Sequence, residues 1–239
     1  MTGRNIPEPI KRQVRQASFF GCIICGMPIY HYEHINNFAL VKEHTPENIV
    51  LLCPNHHQEK TSGRLSQQYI RRWQSAPRNS ECDKTSSYPV LICGEVSNLN
   101  IGGNIFEFDL KELGDRFEAI IIQNKSVLSL EFQNGFLLLD LKLTDRGGRD
   151  ILVVDKGELS VNTGVWDYTL EGQILTIRSH SEEIELRINF GDDGINIQRG
   201  FIVYPPYGID ISPGEIRFLP GNNRMIRNKI TNCKVGIRI

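Results

Sequence analysis

The sequence predicts a two-part chain, a small α+β unit folded around a metal followed by a larger all-β unit. Three observations predict it. Cys22, Cys25 and Cys53 crowd into the first third together with five of the six histidines. A polar, turn-rich stretch, SAPRNSECDKTSSYP (75–89), comes next. Beyond it the texture changes to short apolar runs of β type separated by Gly, Asn and Asp. Charge divides the same way. Residues 1–80 carry 10 Lys/Arg against 5 Asp/Glu, and residues 81–239 carry 17 against 23, leaving a net charge of −1. A basic third joined to an acidic remainder points to two units with different partners, the first of them facing a polyanion. The boundaries read from these shifts are 1–75 for the first unit, 76–89 for a linker and 90–239 for the β-unit.

The 239 residues suffice to bury a sizeable core. The opening MTGRNIPEPIKRQVRQ has no apolar core of the kind a signal peptide needs, and no later run reaches spanning length. A cytoplasmic protein with no membrane partner is the expectation. In a reducing compartment six cysteines do not read as a disulfide framework, and clustered ones read as metal ligands. Cys82, Cys93 and Cys233 lie outside the cluster and read as ordinary thiols.

Taken in order, IPEPIKRQVRQASF (6–19) opens with prolines suited to a first turn and predicts a short basic helix. FFGCIICGMPIYHYEHI (19–35) holds a Cys-x-x-Cys-Gly turn followed by a β-favouring segment. NIVLLC (48–53) predicts a short apolar strand, Pro54 opens a helix over 54–62, and Gly63 ends it. RLSQQYIRRWQ (64–74) sets Leu65, Tyr69 and Trp73 four apart, an amphipathic helix with a basic side. The first unit therefore reads helix, turn, strand, strand, helix, helix. After residue 118 no helix is predicted. Asn134-Gly135 marks a hairpin. GINI (194–197), GIDI (208–211) and GIRI (236–239) suggest either the coils of a short β-helix or strands of a sandwich, and the pattern leaves both open.

Cys22-x-x-Cys25, then 27 residues, then Cys53-x-x-His56 gives four soft or borderline ligands in two turn-spaced pairs. A two-residue spacer lets both side chains of a pair reach adjacent corners of a tetrahedron, so the set predicts a structural Zn2+ closed by protein ligands. His57 is then spare. On a helix it points about 100° from His56 and must face elsewhere. The groups it can meet are Glu33, His34 and Asn48, which suit a divalent cation with open positions and a water to activate.

The run CIICG…YEHI…HTPENIVLLCPNHHQEK resembles the HNH endonuclease family in its zinc-supported form, over about residues 4–75. The resemblance implies a ββα-metal fold, a hairpin and a helix around one catalytic metal. It implies that His34 is the general base, that Glu33 and His57 hold catalytic Mg2+ or Mn2+, and that Asn48 braces the hairpin loop. It leaves Cys22, Cys25, Cys53 and His56 to the structural zinc. Glu33 departs from the commoner Asp. Adjacent strand residues also face opposite ways, so Glu33 and His34 share a site only if the strand ends or bulges there.

The expected function is metal-dependent hydrolysis of nucleic acid, double-stranded DNA by preference. Arg12, Arg15, Lys60, Arg64, Arg71 and Arg72 are candidate phosphate contacts, although taken without the motif they read as solvated helix faces. The alternative is a non-catalytic zinc module that binds nucleic acid or protein. His44 reads as a solvated loop residue ahead of a second role near the site, His31 as structural, and His180 receives no role. Arg146, Arg149, Trp166 and Tyr168 read as turn arginines and core aromatics ahead of a binding surface. The β-unit is assigned target selection, ligand sensing or homo-oligomerisation, a layout similar to effectors of bacterial restriction or antiphage defence.

Overall fold

The computed structural model describes residues 5–90, 92–93, 98–109, 112, 114, 116–180, 183–191 and 194–239. It divides into two compact units, residues 1–88 with 160–168 and residues 89–159 with 169–239. The Cys93 side chain lies outside the described ones. Among the described residues no helix is long and apolar enough to cross a membrane.

In the first unit, α1 (Glu8–Ala17) starts on the prolines as expected and carries Glu8 in its first turn and Arg15 in its last, the signs its dipole favours. Phe19 and Phe20 then take positive φ, 51° and 58°, and turn the chain sharply into the cysteine turn. β1 (His31–His34) and β2 (Ile49–Leu52) form an antiparallel pair in the register His31↔Leu52, Tyr32↔Leu51, Glu33↔Val50 and His34↔Ile49. A short α2 (Phe38–Val41) and a 3-10 turn (Pro46–Asn48) lie between them, and neither was predicted. α3 (Pro54–Thr61) and α4 (Gln67–Ser75) complete the predicted order.

The unbroken apolar run of β2 has a direct cause. Val50 and Leu52 join Cys22, Ile23, Ile35, Cys53 and Ile70 in one small core. Ile49 and Leu51 face the other way and join Val14, with Ile6, Ile10, Tyr30 and Tyr32 packed around them. A strand buried on both faces needs apolar residues at every position rather than at alternate ones. Because directly paired residues share a face, Glu33 and His31 lie on the side of Val50 and Leu52, while Tyr32 lies on the side of Leu51.

The stretch expected as a linker differs from that expectation: up to residue 88 it is built into the first unit. Asn79 is buried, and its amide nitrogen donates to the carbonyls of Phe19 and Gly26 at 3.2 and 2.9 Å. Ser86 Oγ donates to the Cys25 carbonyl at 2.7 Å. Gly26 has φ 79°, and a Cβ there would stand 2.2 Å from Asn79 Oδ1, so only glycine fits. Residues 160–168 also belong here, a segment that the predicted boundaries gave to the β-unit. Thr85 N donates to the Val161 carbonyl at 2.8 Å, and Val161 N donates to Thr85 Oγ1 at 3.1 Å. Tyr168 is fully buried and donates through its hydroxyl to the Pro28 carbonyl at 3.0 Å, a core aromatic as expected.

The second unit is built of strands. In chain order they are β3 (Tyr88–Pro89, starting in the first unit), β4 (Ile92–Cys93), β5 (Asn98–Ile101), β6 (Asn104–Glu107), β7 (Arg116–Ile122), β8 (Lys125–Gln133), β9 (Phe136–Thr144) and β10 (Asp150–Asp155). β11 (Glu158–Val161) leads into the first unit and β12 (Asp167–Glu171) leads back. β13 (Ile174–Arg178), β14 (Ile184–Gly191), β15 (Gly194–Tyr204), β16 (Tyr207–Ser212), β17 (Glu215–Leu219), β18 (Arg224–Ile226), β19 (Lys229–Thr231) and β20 (Val235–Arg238) follow. Asn134 and Gly135, both at positive φ, make the predicted hairpin turn between β8 and β9.

β15 is the hub of the sheet. Its first half pairs with β14 and, in parallel, with β5, while its second half pairs with β16 and touches β9. A register shift in the β14 pairing marks the change, as expected where a strand passes between sheets. The three Gly-Ile motifs do not stack on one another as coils would: GIDI in β16 runs antiparallel to β15, and the parallel partners of GINI and GIRI are β5 and β7. The glycine of GIRI has a local reason instead, since a Cβ on Gly236 would stand 2.7 Å from the Ala119 carbonyl oxygen.

Candidate metal centre and the neighbouring histidine–carboxylate pair

Cys22, Cys25, Cys53 and His56 converge, their ligand atoms all within 4.8 Å of one another. Cys22 and Cys25 stand on the turn closed by the Gly26 N–H to Cys22 carbonyl bond of 2.7 Å. Cys53 is the N-cap of α3 and His56 lies one turn into it. His56 Nδ1 is 3.4 Å from Cys22 Sγ and 3.2 Å from Cys53 Sγ. Three sulfurs and one imidazole nitrogen on a buried turn and a helix start are a donor set that can hold a zinc ion. Without metal, a hydrogen bond from Cys25 holds the Cys22 thiol down at about 5 and pushes Cys25 above the ordinary thiol range, while burial raises Cys53.

His57 turns the other way. Its Nε2 lies 2.8 Å from Glu33 Oε2, and Glu33 Oε1 is paired with the Lys60 ammonium one turn further along α3. His31, on the same face of β1 as Glu33, sets its ring 5.2 Å from that of His57 and so borders this pair. The doubled histidine therefore serves two neighbourhoods, Nδ1 of the first for sulfur and Nε2 of the second for a carboxylate. The Glu33 side chain is 15% exposed and that of His57 34%, so the pair is partly accessible from solvent.

β1 ends at His34, which is still in register with Ile49, so the strand does not bulge before it; Glu33 and Lys60 are nonetheless near enough to His34 to act on its charge. The turn after it is clamped by Asn48, a buried residue: Asn48 Oδ1 accepts from Asn36 N at 2.9 Å, and Ile35 N donates to the Asn48 carbonyl at 2.8 Å. His34 Nε2 lies 3.1 Å from His44 Nδ1. Burial lowers the His34 pKa from its ordinary value, His44 and Lys60 push the same way, and the Glu33 charge opposes them. His44, expected to be a solvated loop residue, is instead held against His34.

The candidate phosphate contacts fare differently from one another. Arg15 is 1% exposed and gives two bonds of 2.7 Å to Asp167, one of 2.6 Å to Glu8 and one of 2.7 Å to the Tyr32 hydroxyl. Burial opposes its charge, but these partners outweigh burial and raise its pKa. Arg15 is thus a structural cation, not a surface one. Arg12 stacks 4.4 Å over the Trp166 ring, its Nε 3.5 Å from Asp167. Lys60 is engaged with Glu33. Arg71 donates to the Glu47 carbonyl at 2.6 Å, Arg64 lies 3.3 Å from the Ser62 hydroxyl, and Arg64, Arg71 and Arg72 are exposed. Asp167 is the functional partner that sequence reasoning missed, and no local signal marks it, since it lies 152 residues from Arg15.

The fold and site define a hairpin-and-helix unit with a Cys3His cluster that could hold a metal ion, joined to a β-rich unit. No family model, curated protein or solved structure matched the chain.

Proposed function

We propose that the first unit is a metal-dependent nuclease of HNH type that hydrolyses phosphodiester bonds, with double-stranded DNA as substrate. The observation that carries this reading is the pairing of Glu33 with His57 at 2.8 Å, with His34 the next residue along the strand. One carboxylate oxygen and one imidazole nitrogen at that separation suit neighbouring positions of a single divalent ion, with open positions left for water and phosphate. Bound there, Mg2+ or Mn2+ would polarise the scissile phosphate and stabilise charge on the leaving 3′ oxygen. His34 accepts the proton of the attacking water, which requires its imidazole to be neutral. Asn48 keeps the turn after His34 in register and so fixes the angle of the ring. Lys60 holds the second oxygen of Glu33 and sets that carboxylate toward His57.

The same lysine favours a second reading, a zinc module that binds without cutting, in which Lys60 neutralises Glu33 permanently. Replacing His34 separates the two. With purified full-length protein, plasmid and Mg2+ or Mn2+, His34→Ala is expected to lower the cleavage rate about 10²–10⁴-fold while leaving the fold unchanged. A wild type that is folded and zinc-loaded but cuts neither DNA nor RNA with either ion supports the binding module.

The pH profile supplies a further expected result. Because burial and His44 depress the His34 pKa, the imidazole stays neutral below the ordinary histidine value of about 6.5. A cation at Glu33 and His57 pushes in the same direction. The acid limb of kcat/KM is therefore expected below about pH 6.5, and a limb at or above that value argues against His34 as the base.

For the β-unit we propose target selection, ligand sensing or assembly. What supports sensing is a half-open cleft of about 450 Å3 in that unit, with Lys125, Lys142 and Tyr204 among its polar lining.

A further inference from the structure

We propose that His44 is the positioning residue of the general base: it accepts a hydrogen bond from Nε2–H of His34 and thereby reserves Nδ1 of His34 for the attacking water. The inference rests on the nuclease reading above and assigns a role to a residue which that reading leaves unused.

The geometry is specific to this chain's 36–44 connection. Asn37 caps α2 through its side chain, accepting from Ala39 N at 3.0 Å, and Lys42 takes a left-handed φ of 55° that sends the chain back toward β1. Phe38 stacks on His44 at 4.6 Å with the rings only 12° apart, and its centroid lies 5.1 Å from that of His34. The Phe38 ring therefore fixes the plane of His44 and borders His34. The contact between the imidazoles is made by defined atoms, Nε2 of His34 and Nδ1 of His44, at 3.1 Å. One proton can lie between them. If His34 supplies it, His34 is the Nε2–H tautomer with a lone pair at Nδ1. If His44 supplies it, a neutral His34 carries its proton on Nδ1 and has no lone pair left to act as a base.

Only the first arrangement is compatible with catalysis. In it, a water proton passes to Nδ1 of His34, the water oxygen bonds to phosphorus, and the P–O3′ bond breaks with its electron pair on the leaving oxygen. The solvent then protonates that oxygen. His34 keeps its Nε2–H and this bond while Nδ1 takes the water proton, so its ring holds its orientation through the step. His44 touches neither water nor phosphate and acts through His34, in the way that partners behind a working imidazole fix its tautomer and orientation.

Two measurements on the full-length, zinc-loaded protein test this. A long-range 1H–15N spectrum of uniformly 15N-labelled protein, taken without substrate, is expected to show His34 protonated at Nε2 and unprotonated at Nδ1. Steady-state cleavage is expected to show kcat reduced about 10–100-fold in His44→Ala with KM unchanged, the size usual for removing such a partner. His44→Asn, whose amide oxygen can accept the same bond, is expected to recover part of that loss. A proton on Nδ1 of His34 overturns the proposal, as does wild-type kcat in His44→Ala or a defect confined to KM. A wild type that cuts nothing overturns the nuclease reading itself, an outcome told apart by the substrate-free spectrum, which reports on the imidazole pair alone.

Discussion

Stripping the metal with a chelator, or replacing Cys53 with Ser, is expected to unfold the first unit and leave the strands of the second in place. The reason lies in how little else holds that unit. Its two cores are small, and Cys22 and Cys53 are themselves members of one of them. Structural zinc in small domains contributes about 10–16 kcal/mol of apparent binding energy at neutral pH, as much as the whole stability of an ordinary domain, about 5–15 kcal/mol. The chain also provides its own reporter. It has two tryptophans, and Trp73 and Trp166 both fall in the first unit. Metal analysis should return one zinc per chain. Tryptophan emission should shift to the red on chelation, while the far-ultraviolet β signal persists. Unchanged emission after complete removal of zinc would show that the cluster does not support the fold.

The sign of the pH effect on that metal follows from the thiols. Cys25 lowers Cys22, whereas the Cys25 and Cys53 thiols are raised and lose their protons on binding zinc. Zinc capture therefore releases protons and weakens as pH falls.

The parts of the fold that were legible in the sequence share one property: their determinants are local. Metal-ligand spacing, the proline that opens α3, the apolar run of β2 and the Asn134-Gly135 turn are each written within a few residues. The divergence of His56 and His57 follows from helical geometry alone, and it leaves His57 2.8 Å from Glu33. What was not legible depends on distant chain. His44 reaches His34 only because α2 and the left-handed Lys42 fold the connection back. The recurring Gly-Ile motifs suggested coils, but Gly236 is required by its closeness to Ala119, not by a repeat. Arg15 looked like one more cation on a basic helix, and only the arrival of Asp167 makes it structural.

That pair sets the second large expectation: Asp167→Ala should destabilise the first unit by about 3 kcal/mol, the lower end of the usual cost of breaking a buried ion pair, because Glu8 still faces the guanidinium. The conditions for so large an effect are met, because the Arg15 and Asp167 side chains are 1% and 2% exposed and are joined by two 2.7 Å bonds. The single change leaves a guanidinium that burial disfavours with only the half-exposed Glu8 carboxylate and the Tyr32 hydroxyl. Removing both charges tests that account: Arg15→Met with Asp167→Leu should recover most of the loss, since an apolar pair of similar volume needs no desolvation. Urea unfolding followed by tryptophan emission measures both variants, and an Asp167→Ala midpoint equal to wild type would overturn the assignment. The same reasoning bears on how the chain is organised. Asp167 comes from 160–168, so a fragment ending at residue 88 would keep Arg15 and lose its carboxylate. Such a fragment should be less stable than the same unit in the full chain even when loaded with zinc. The metal motif supplies the local scaffold, and residues 160–168 of the same unit add the buried carboxylate that α1 needs to bury its arginine.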